Sequence, residues 1–331
     1  MSLLLDIIIV NWNTGDQLRE CLETIVNSSD HTDFLNRVVV VDNASSDGSA
    51  DYLSAIELPL TVIRNSFNRG FSAACNQGAN GSSADIILFL NPDTRLLADS
   101  LITPLSLLSQ PEHQYTGIIG IQLVDDSGKI SRSCARFPTL SLFIYKTTGL
   151  NRAFPNTFLL STMIEWDHRQ TRSVDQVIGA FFMVRAQVYW ELCGFDEQFF
   201  VYYEEVDFAL RAKQKGWQTC YLSGVQAYHK GGGATDAVKD IRLFYLLRSQ
   251  IIYGCKHMGF IKAIILIFFI LMIEPWTRLA AAVMDRSFSQ IIWTLKAYGM
   301  LWQDLPHWSK LCMRLLNLSA SFKNRQVRDV L

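Results

Sequence analysis

Charge is scarce in this chain, and what there is nearly cancels. Only 18% of the 331 residues are charged, 30 Lys and Arg stand against 31 Asp and Glu, and the formal net charge is -1. Such a chain has no electrostatic footprint for nucleic acid, which is not expected as a partner. Cysteine pairing is missing as well. The seven cysteines (Cys21, Cys75, Cys134, Cys193, Cys220, Cys255, Cys312) are odd in number, scattered and without a CxxC spacing. This excludes a disulfide framework or zinc site and points to reduced thiols in a cytosolic setting. Met1 to Asp6 lacks a basic n-region and a cleavage site, so no signal peptide is expected. Two phosphate-cradling motifs are also absent. A dinucleotide-binding oxidoreductase should carry G-x-G-x-x-G after its first strand. The turn here reads Asn11-Trp12-Asn13-Thr14-Gly15, and no G-x-x-x-x-G-K-[ST] loop exists anywhere in the chain.

Apolar residues are plentiful instead. Hydrophobic content is 49% and mean hydropathy is +0.14, high for a soluble enzyme, which implies apolar surface buried outside the fold. The length allows one large domain or two ordinary ones.

Strand and helix signals alternate through the first ninety residues. Leu3 to Val10 reads as a β-branched strand, and Asp16 to Asn27 has helical spacing through Leu18, Cys21, Leu22 and Ile25. Arg37 to Val41 is a second strand ending in Asp42-Asn43-Ala44-Ser45-Ser46-Asp47-Gly48, and Leu60 to Arg64 a third, leading into Asn65 to Phe71. A helix over Ser72 to Asn80 and a strand over Ile86 to Leu90 follow. The alternation predicts an α/β fold of βαβ units on a parallel sheet. Each strand's carboxyl end carries Asn, Asp or Ser, so polar groups gather along the edge where open α/β sheets bind ligands.

The most informative segment is Ile86-Ile87-Leu88-Phe89-Leu90 with Asn91-Pro92-Asp93 directly after it. A wholly apolar run reads as a strand buried on both faces. A carboxylate at its end suits Mg²⁺ or Mn²⁺ carrying a diphosphate; alone, the same tripeptide is an ordinary turn. Residues 100 to 175 are less regular, with a hairpin turn at Asp125 to Lys129. Gly179-Ala180 within the apolar run Gln176 to Arg185 signals close approach of another backbone or a ligand. Glu204, Glu205 and Asp207 open a helix over Glu204 to Gly216 and exceed what capping requires. Helical spacing puts Glu204 and Asp207 on one side and turns Glu205 about 100° away.

The carboxyl-terminal third changes character. Ile241 to Tyr253 is amphipathic, and Ile261 to Ile273 is almost wholly apolar, with Glu274-Pro275-Trp276 expected to stop it. Thirteen residues fall short of the about 20 that cross a bilayer. The flanking Lys256, His257, Lys262, Trp276 and Arg278, and later Trp293, Trp302, Trp308, Lys310 and Arg314, suit helices lying in a membrane interface. The alternative is a helical hairpin packed on the catalytic domain or on a second copy in a homo-oligomer.

The segments IIIVNWN (7–13), VVVDNASSDGS (39–49), NRGFSAACNQG (68–78), LFLNPDT (88–94), IGAFFMVR (178–185), GFDEQFFVYYEEVDFALR (194–211) and HKGGGAT (229–235) keep a family's order and spacing. The chain resembles the inverting family 2 glycosyltransferases of GT-A fold, most closely the bacterial rhamnosyltransferases of cell-surface polysaccharide synthesis. The resemblance implies a catalytic domain over 1–238 and a membrane-associated or dimerising helical region over 239–331. It implies a nucleotide-sugar donor (dTDP-rhamnose), a lipid-linked saccharide acceptor, Mg²⁺ or Mn²⁺, and a place at the cytoplasmic face of the inner membrane. Position by position, Asn11 and Asp42 fall where the family holds base and ribose, Asn68 and Arg69 near base and diphosphate, and Asn13 and Asn43 are further implied nucleotide-sugar contacts. Asn91 and Asp93 match its DxD position, with Asn for the first acid, and Asp93 and His229 are the implied metal ligands. Glu205 matches the second acid of the Glu-Asp pair, the general base, with Glu204 as the competing assignment. A processive synthase is set aside for want of several full membrane spans and a Q-x-x-R-W motif. A non-catalytic nucleotide-sugar-binding protein, its acids merely capping helices, stays open.

Overall fold

The computed structural model describes residues 3–29, 34–51, 53, 56–154, 163, 165–229, 231 and 238–328. The chain forms two compact units. One comprises Met1–Phe137, Thr162–Phe200 and Glu204–Asp236, the other Pro138–Ser161, Val201–Tyr203 and Ala237–Leu331. In chain order the elements begin β1 (Leu5–Asn11), α1 (Gln17–Ser29), β2 (Leu35–Asp42), β3 (Leu60–Arg64), α2 (Phe71–Ala79) and β4 (Ile86–Leu90). Next come β5 (Thr94–Leu96), α3 (Ile102–Leu108), β6 (Thr116–Val124), β7 (Cys134–Ala135), α4 (Leu140–Thr147), α5 (Leu150–Ala153), β8 (Arg172–Val174), β9 (Gln176–Val177) and β10 (Phe181–Arg185). The last are α6 (Ala186–Glu191), α7 (Glu204–Gln214), β11 (Gln218–His229), α8 (Lys239–His257), α9 (Phe260–Phe268), α10 (Glu274–Met284), α11 (Phe288–Gln303) and α12 (Leu305–Arg328).

The first unit is a sheet in the order β3-β2-β1-β4-β10-β6-β11-β5, with β8 also on β11. β3, β2, β1 and β4 run parallel. β10 is antiparallel to both β4 and β6, β11 runs parallel to β6, and β5 is antiparallel to β11. The apolar runs in β1, β2 and β4 are continuous because both sheet faces are covered. Ile7, Ile9, Val38, Val40 and Leu88 pack with Leu18, Cys21, Leu22 and Ile25 of α1. Ile8, Val10, Val39, Val41, Ile87 and Phe89 meet Ala74, Cys75 and Ala79 of α2 and Phe208, Ala209 and Ala212 of α7. Parallel register aligns Asn11 with Asp42 and Asp42 with Arg64, and antiparallel pairing sets His229 opposite Thr94. The strand ends thereby deliver their polar residues to one edge.

Within the second unit, α8 packs on α9, α11 and α12, and α10 on α11. The expectation that Glu274-Pro275-Trp276 ends the apolar helix is overturned. A π turn over Phe269–Ile273, with the Glu274 amide donating to the Phe269 carbonyl, joins α9 to α10. The wider turn moves the carbonyl that the Pro275 ring would otherwise strike, so the helix passes through the proline. The continuous helix Phe260–Met284 has 25 residues, with an 18-residue stretch of mean hydropathy 2.0, long and apolar enough by composition to cross a membrane.

Gly78 lets α2 lie directly on the sheet, since a Cβ there would stand 2.5 Å from Ile8 Cγ2 and 3.0 Å from Val41 Cγ2. Gly78→Val should destabilise the protein by about 1–3 kcal/mol through overpacking. Denaturant titration checks this, and an unchanged midpoint contradicts it.

Candidate active site

At the ends of β1 and β2 the side chains form a closed polar network. Asn11 is fully buried. Its amide donates to Asp42 Oδ1 (3.1 Å), Ser45 Oγ (3.0 Å) and Ser49 Oγ (2.8 Å), and its Oδ1 accepts from the Thr14 hydroxyl. Asn13, in a left-handed conformation at φ 51, accepts the Ser46 amide at 2.8 Å. Asp42 Oδ2 faces Arg64 at 3.7 Å. One layer on, Asn43 donates to Asn68 Oδ1 (2.8 Å) and to the Gly70 carbonyl (3.2 Å) and accepts from the Arg69 amide (3.0 Å). The predicted donor residues therefore divide in two. Asn11 and Asn43 are buried and shape the 42–49 and 65–70 loops from beneath. Arg69 is exposed, and its guanidinium has no ion pair among the described residues.

Asn91 and Asp93 follow β4, where the Asn91 amide donates to the Ala180 carbonyl at 3.0 Å. This is the backbone approach signalled by Gly179-Ala180. Asp93 Oδ1 lies 3.3 Å from His229 Nε2, and both side chains are about nine-tenths buried, at 11% and 12% exposure. Residues 136 apart in sequence meet because β5 and β11 pair through Thr94 and His229. A converging carboxylate oxygen and imidazole nitrogen fit Mn²⁺ or Mg²⁺. Among the described residues no group of three His, Cys, Asp or Glu could hold an ion alone.

The third component is the start of α7. Tyr202 and Tyr203, at φ 67 and 72, lead into Glu204, a strained pair of the kind found where a site is held against local preference. Asp207 is fully buried and takes the Arg211 guanidinium at 2.7 Å. Arg211 in turn donates to the Leu192 and Gly194 carbonyls at 2.7 and 3.0 Å. Of the three acids, then, Asp207 is structural and anchors the helix. Glu204 and Glu205 each have a buried Oε2 without a hydrogen bond among the described residues. Desolvation pushes the Glu204 carboxyl well above its usual range, and the neighbouring Glu205 charge adds to this. Desolvation also raises Glu205, to about 6. Perturbed acids of this kind mark functional sites.

The acid pair is tied to the donor loop through the backbone. Phe71 N donates to the Phe200 carbonyl at 2.6 Å. A Cβ at Gly70, whose φ is +87, would stand 2.6 Å from that same oxygen. Asn68, Arg69 and Gly70 are thereby fixed four residues from Glu204. Sequence reasoning missed Ser45, Ser49 and Thr14 as partners of Asn11; the serine-rich turn after β2 was the available signal.

Comparison with known proteins identifies the family and the fold. The model of "Glycosyl transferase family 2" matches residues 6–192. "Rhamnosyltransferase WbbL" of Escherichia coli K12 is 26% identical over 238 residues, covering 67% of this chain and 82% of that protein. The "N-acetylglucosaminyl-diphospho-decaprenol L-rhamnosyltransferase" of Mycobacterium tuberculosis is 24% identical over 281 residues, covering 80% and 88%. Among solved structures, a mannosyltransferase from Pyrobaculum calidifontis in complex with GDP-Man and Mn²⁺ superposes with a TM-score of 0.53 at 17% identity, over 98% of this chain and 87% of that one. Such a likeness shows the fold alone. The matched segment takes in most of β1, all of β2, β3 and β4 and the Asn91-Pro92-Asp93 turn, and the chain belongs to glycosyl transferase family 2, with a GT-A-type fold.

Proposed function

We propose that this protein is a metal-dependent inverting transferase. It moves a deoxyhexose, L-rhamnose from dTDP-rhamnose, to a lipid-linked oligosaccharide in the synthesis of a cell-surface polysaccharide. Two relatives carry rhamnosyltransferase names, and one names a decaprenol-linked saccharide. In this reading residues 1–238 do the chemistry, and 239–331 keep the protein at the cytoplasmic face of the membrane that holds the acceptor. The observation that carries the reading is the desolvated Glu204–Glu205 pair, held to the Asn68–Gly70 loop by the Phe200 carbonyl.

The loops organised by Asn11, Asn13, Asp42 and Asn43 receive the nucleoside. Arg69, exposed beside them, meets the negative diphosphate, with Asn68 fixing its backbone. Asp93 and His229 would hold Mg²⁺ or Mn²⁺, assisted by Asn91; when bound, the ion supplies Lewis-acid stabilisation of charge on the leaving diphosphate. Glu205 accepts the proton of the acceptor hydroxyl. With its pKa near 6 it is ionised at pH 7, yet a stronger base than an ordinary carboxylate. Glu204, the more deeply buried of the two, binds its proton more tightly than an ordinary carboxyl, through burial and the neighbouring Glu205 charge. A base without a covalent nucleophile gives a single displacement and hence inversion.

A second reading, transfer of another sugar from a UDP- or GDP-linked donor, stands beside it because another relative is named only as a hexosyltransferase. The hexosyltransferase Agl10 of Haloferax volcanii is 25% identical over 232 residues. Purified protein incubated with a panel of dTDP-, UDP- and GDP-sugars and a polyprenyl-diphosphate saccharide, read by mass spectrometry, decides between them. Product only from dTDP-rhamnose is the expected result. Product only from another sugar assigns the second reading, and no product from any donor returns the chain to a binding role.

Glu205→Gln should lower transfer by about 10²–10⁴-fold while donor affinity holds within a factor of two. Unimpaired turnover would move the base to Glu204. A carboxyl raised from the usual 4.5 to about 6 binds its proton more tightly in the native state than in the unfolded one. Its cost to stability is therefore absent below pH 4.5 and complete above about pH 6. Glu205→Gln should accordingly melt at higher temperature than the parent at pH 7.5, and the gap should close at pH 4. Calorimetric titration of donor against Asp93→Ala, with and without Mn²⁺, should show the metal-dependent part of the affinity abolished. Equal affinities in parent and variant would remove Asp93 from the metal.

A further inference from the structure

The helix Phe260–Met284 passes every length and hydropathy test for a membrane span, yet its surroundings describe something else. Placed at about 100° per residue, Ile261, Ile264, Phe268, Met272, Trp276 and Val283 fall within an arc of roughly 120°. All six are exposed, between 48% and 72%. Ala263, Leu266, Ile270, Glu274 and Ala281 lie on the opposite side and are buried. The buried side is keyed to its own unit. Leu266 Cδ2 occupies the space a Cβ would take at Gly254 of α8, and Thr277 Oγ1 donates to the Thr147 carbonyl of α4 at 2.7 Å. Glu274 is paired with Arg278 at 2.6 Å.

Crossing a bilayer would break this arrangement. Glu274 stands about 21 Å along the helix at 1.5 Å per residue, near the middle of a hydrocarbon core about 30 Å thick. Trp276, 71% exposed, would stand at the same depth. An ionisable group at that depth is costly, and tryptophan prefers the headgroup boundary. Lying flat satisfies both, since the ion pair faces the protein and Trp276 meets the interface. The stripe continues on α11, where Phe288, Ile292, Leu295 and Trp302 are exposed at helical spacing. Between residues 258 and 303 the charged side chains are Lys262, Arg278, Arg286 and Lys296 against Glu274 and Asp285. Both acids are already paired, Glu274 with Arg278 and Asp285 with Arg152. Lys262, Arg286 and Lys296 are exposed, with no ion pair among the described residues. An apolar stripe with unpaired cations beside it is complementary to an anionic lipid surface.

We infer that Phe260–Met284 lies in the plane of an anionic bilayer's interface without crossing it, inserting the Ile261–Ile264–Phe268–Met272–Trp276–Val283 stripe together with the exposed face of α11. This deepens the membrane half of the proposed function and rests on it. The test uses the full chain carrying Cys193→Ser, with single cysteines read by a membrane-impermeant maleimide added outside sealed phosphatidylcholine–phosphatidylglycerol vesicles. Lys262→Cys and Ser289→Cys should both label in the presence of vesicles. Phe268→Cys and Met272→Cys should label in free protein and be protected at least tenfold on vesicles. Labelling at only one end means a span and overturns the inference. So does a stripe that still labels on vesicles, or one already protected without them by a second copy. Phe268→Glu with Met272→Glu should cut the vesicle-bound fraction at least tenfold and leave donor hydrolysis in solution unchanged. That hydrolysis, measured separately, reads the transferase assignment, so loss of vesicle binding and loss of chemistry are told apart.

Discussion

One close backbone contact governs the site. The Phe200 carbonyl accepts the Phe71 amide and stands where any side chain at residue 70 would have to go. Gly70 alone, with no Cβ and a φ of +87, allows the loop before α2 to reach the segment before α7. The sheet sets the ends of β1, β2 and β4 side by side, but it does not bring the acid pair to them. The Gly70–Phe200 approach joins the loop after β3 to the segment that precedes the acid pair, and Asn43 reinforces it by gripping the Gly70 carbonyl and the Asn68 side chain.

Around that contact the protein distributes acids by environment. Asp207, fully buried, is bonded to Arg211 and fixes α7. Glu204 and Glu205 lack such a partner among the described residues, so burial raises both. Two adjacent carboxyls in one desolvated place titrate as a pair and resist being charged together. The helix thus carries one acid fixed by an ion pair and two raised by burial, the pair to which the proposed proton transfer is assigned. Asp93 and His229 differ again, converging across β5 and β11 as a pair of donor atoms.

Much of this was legible in the residues. Apolar runs such as Ile86–Leu90 announce strands covered on both faces, and the asparagines and aspartates after them announce the ligand edge. β6 was not legible. It lies in the stretch 100 to 175 that reads as irregular, and its Gly117 and Gly120 are the places where the Trp217 and Val177 side chains lie against the sheet. Asn11 is assigned to the nucleotide by resemblance; that it bonds Ser45 and Ser49 depends on the conformation of the loop after β2, of which the serine-rich turn is the only trace in the residues. Pro275 looked like a helix stop. The π turn before it, settled by packing on the second unit's own helices, carries the helix through.

The central claim is that desolvation prepares Glu205 to take a proton, and the pH dependence of kcat/KM for sugar transfer by the unmodified protein tests it most directly. The account predicts a rate that rises tenfold per pH unit below about pH 6 and levels above it. A rate flat from pH 5 to pH 8 would contradict it.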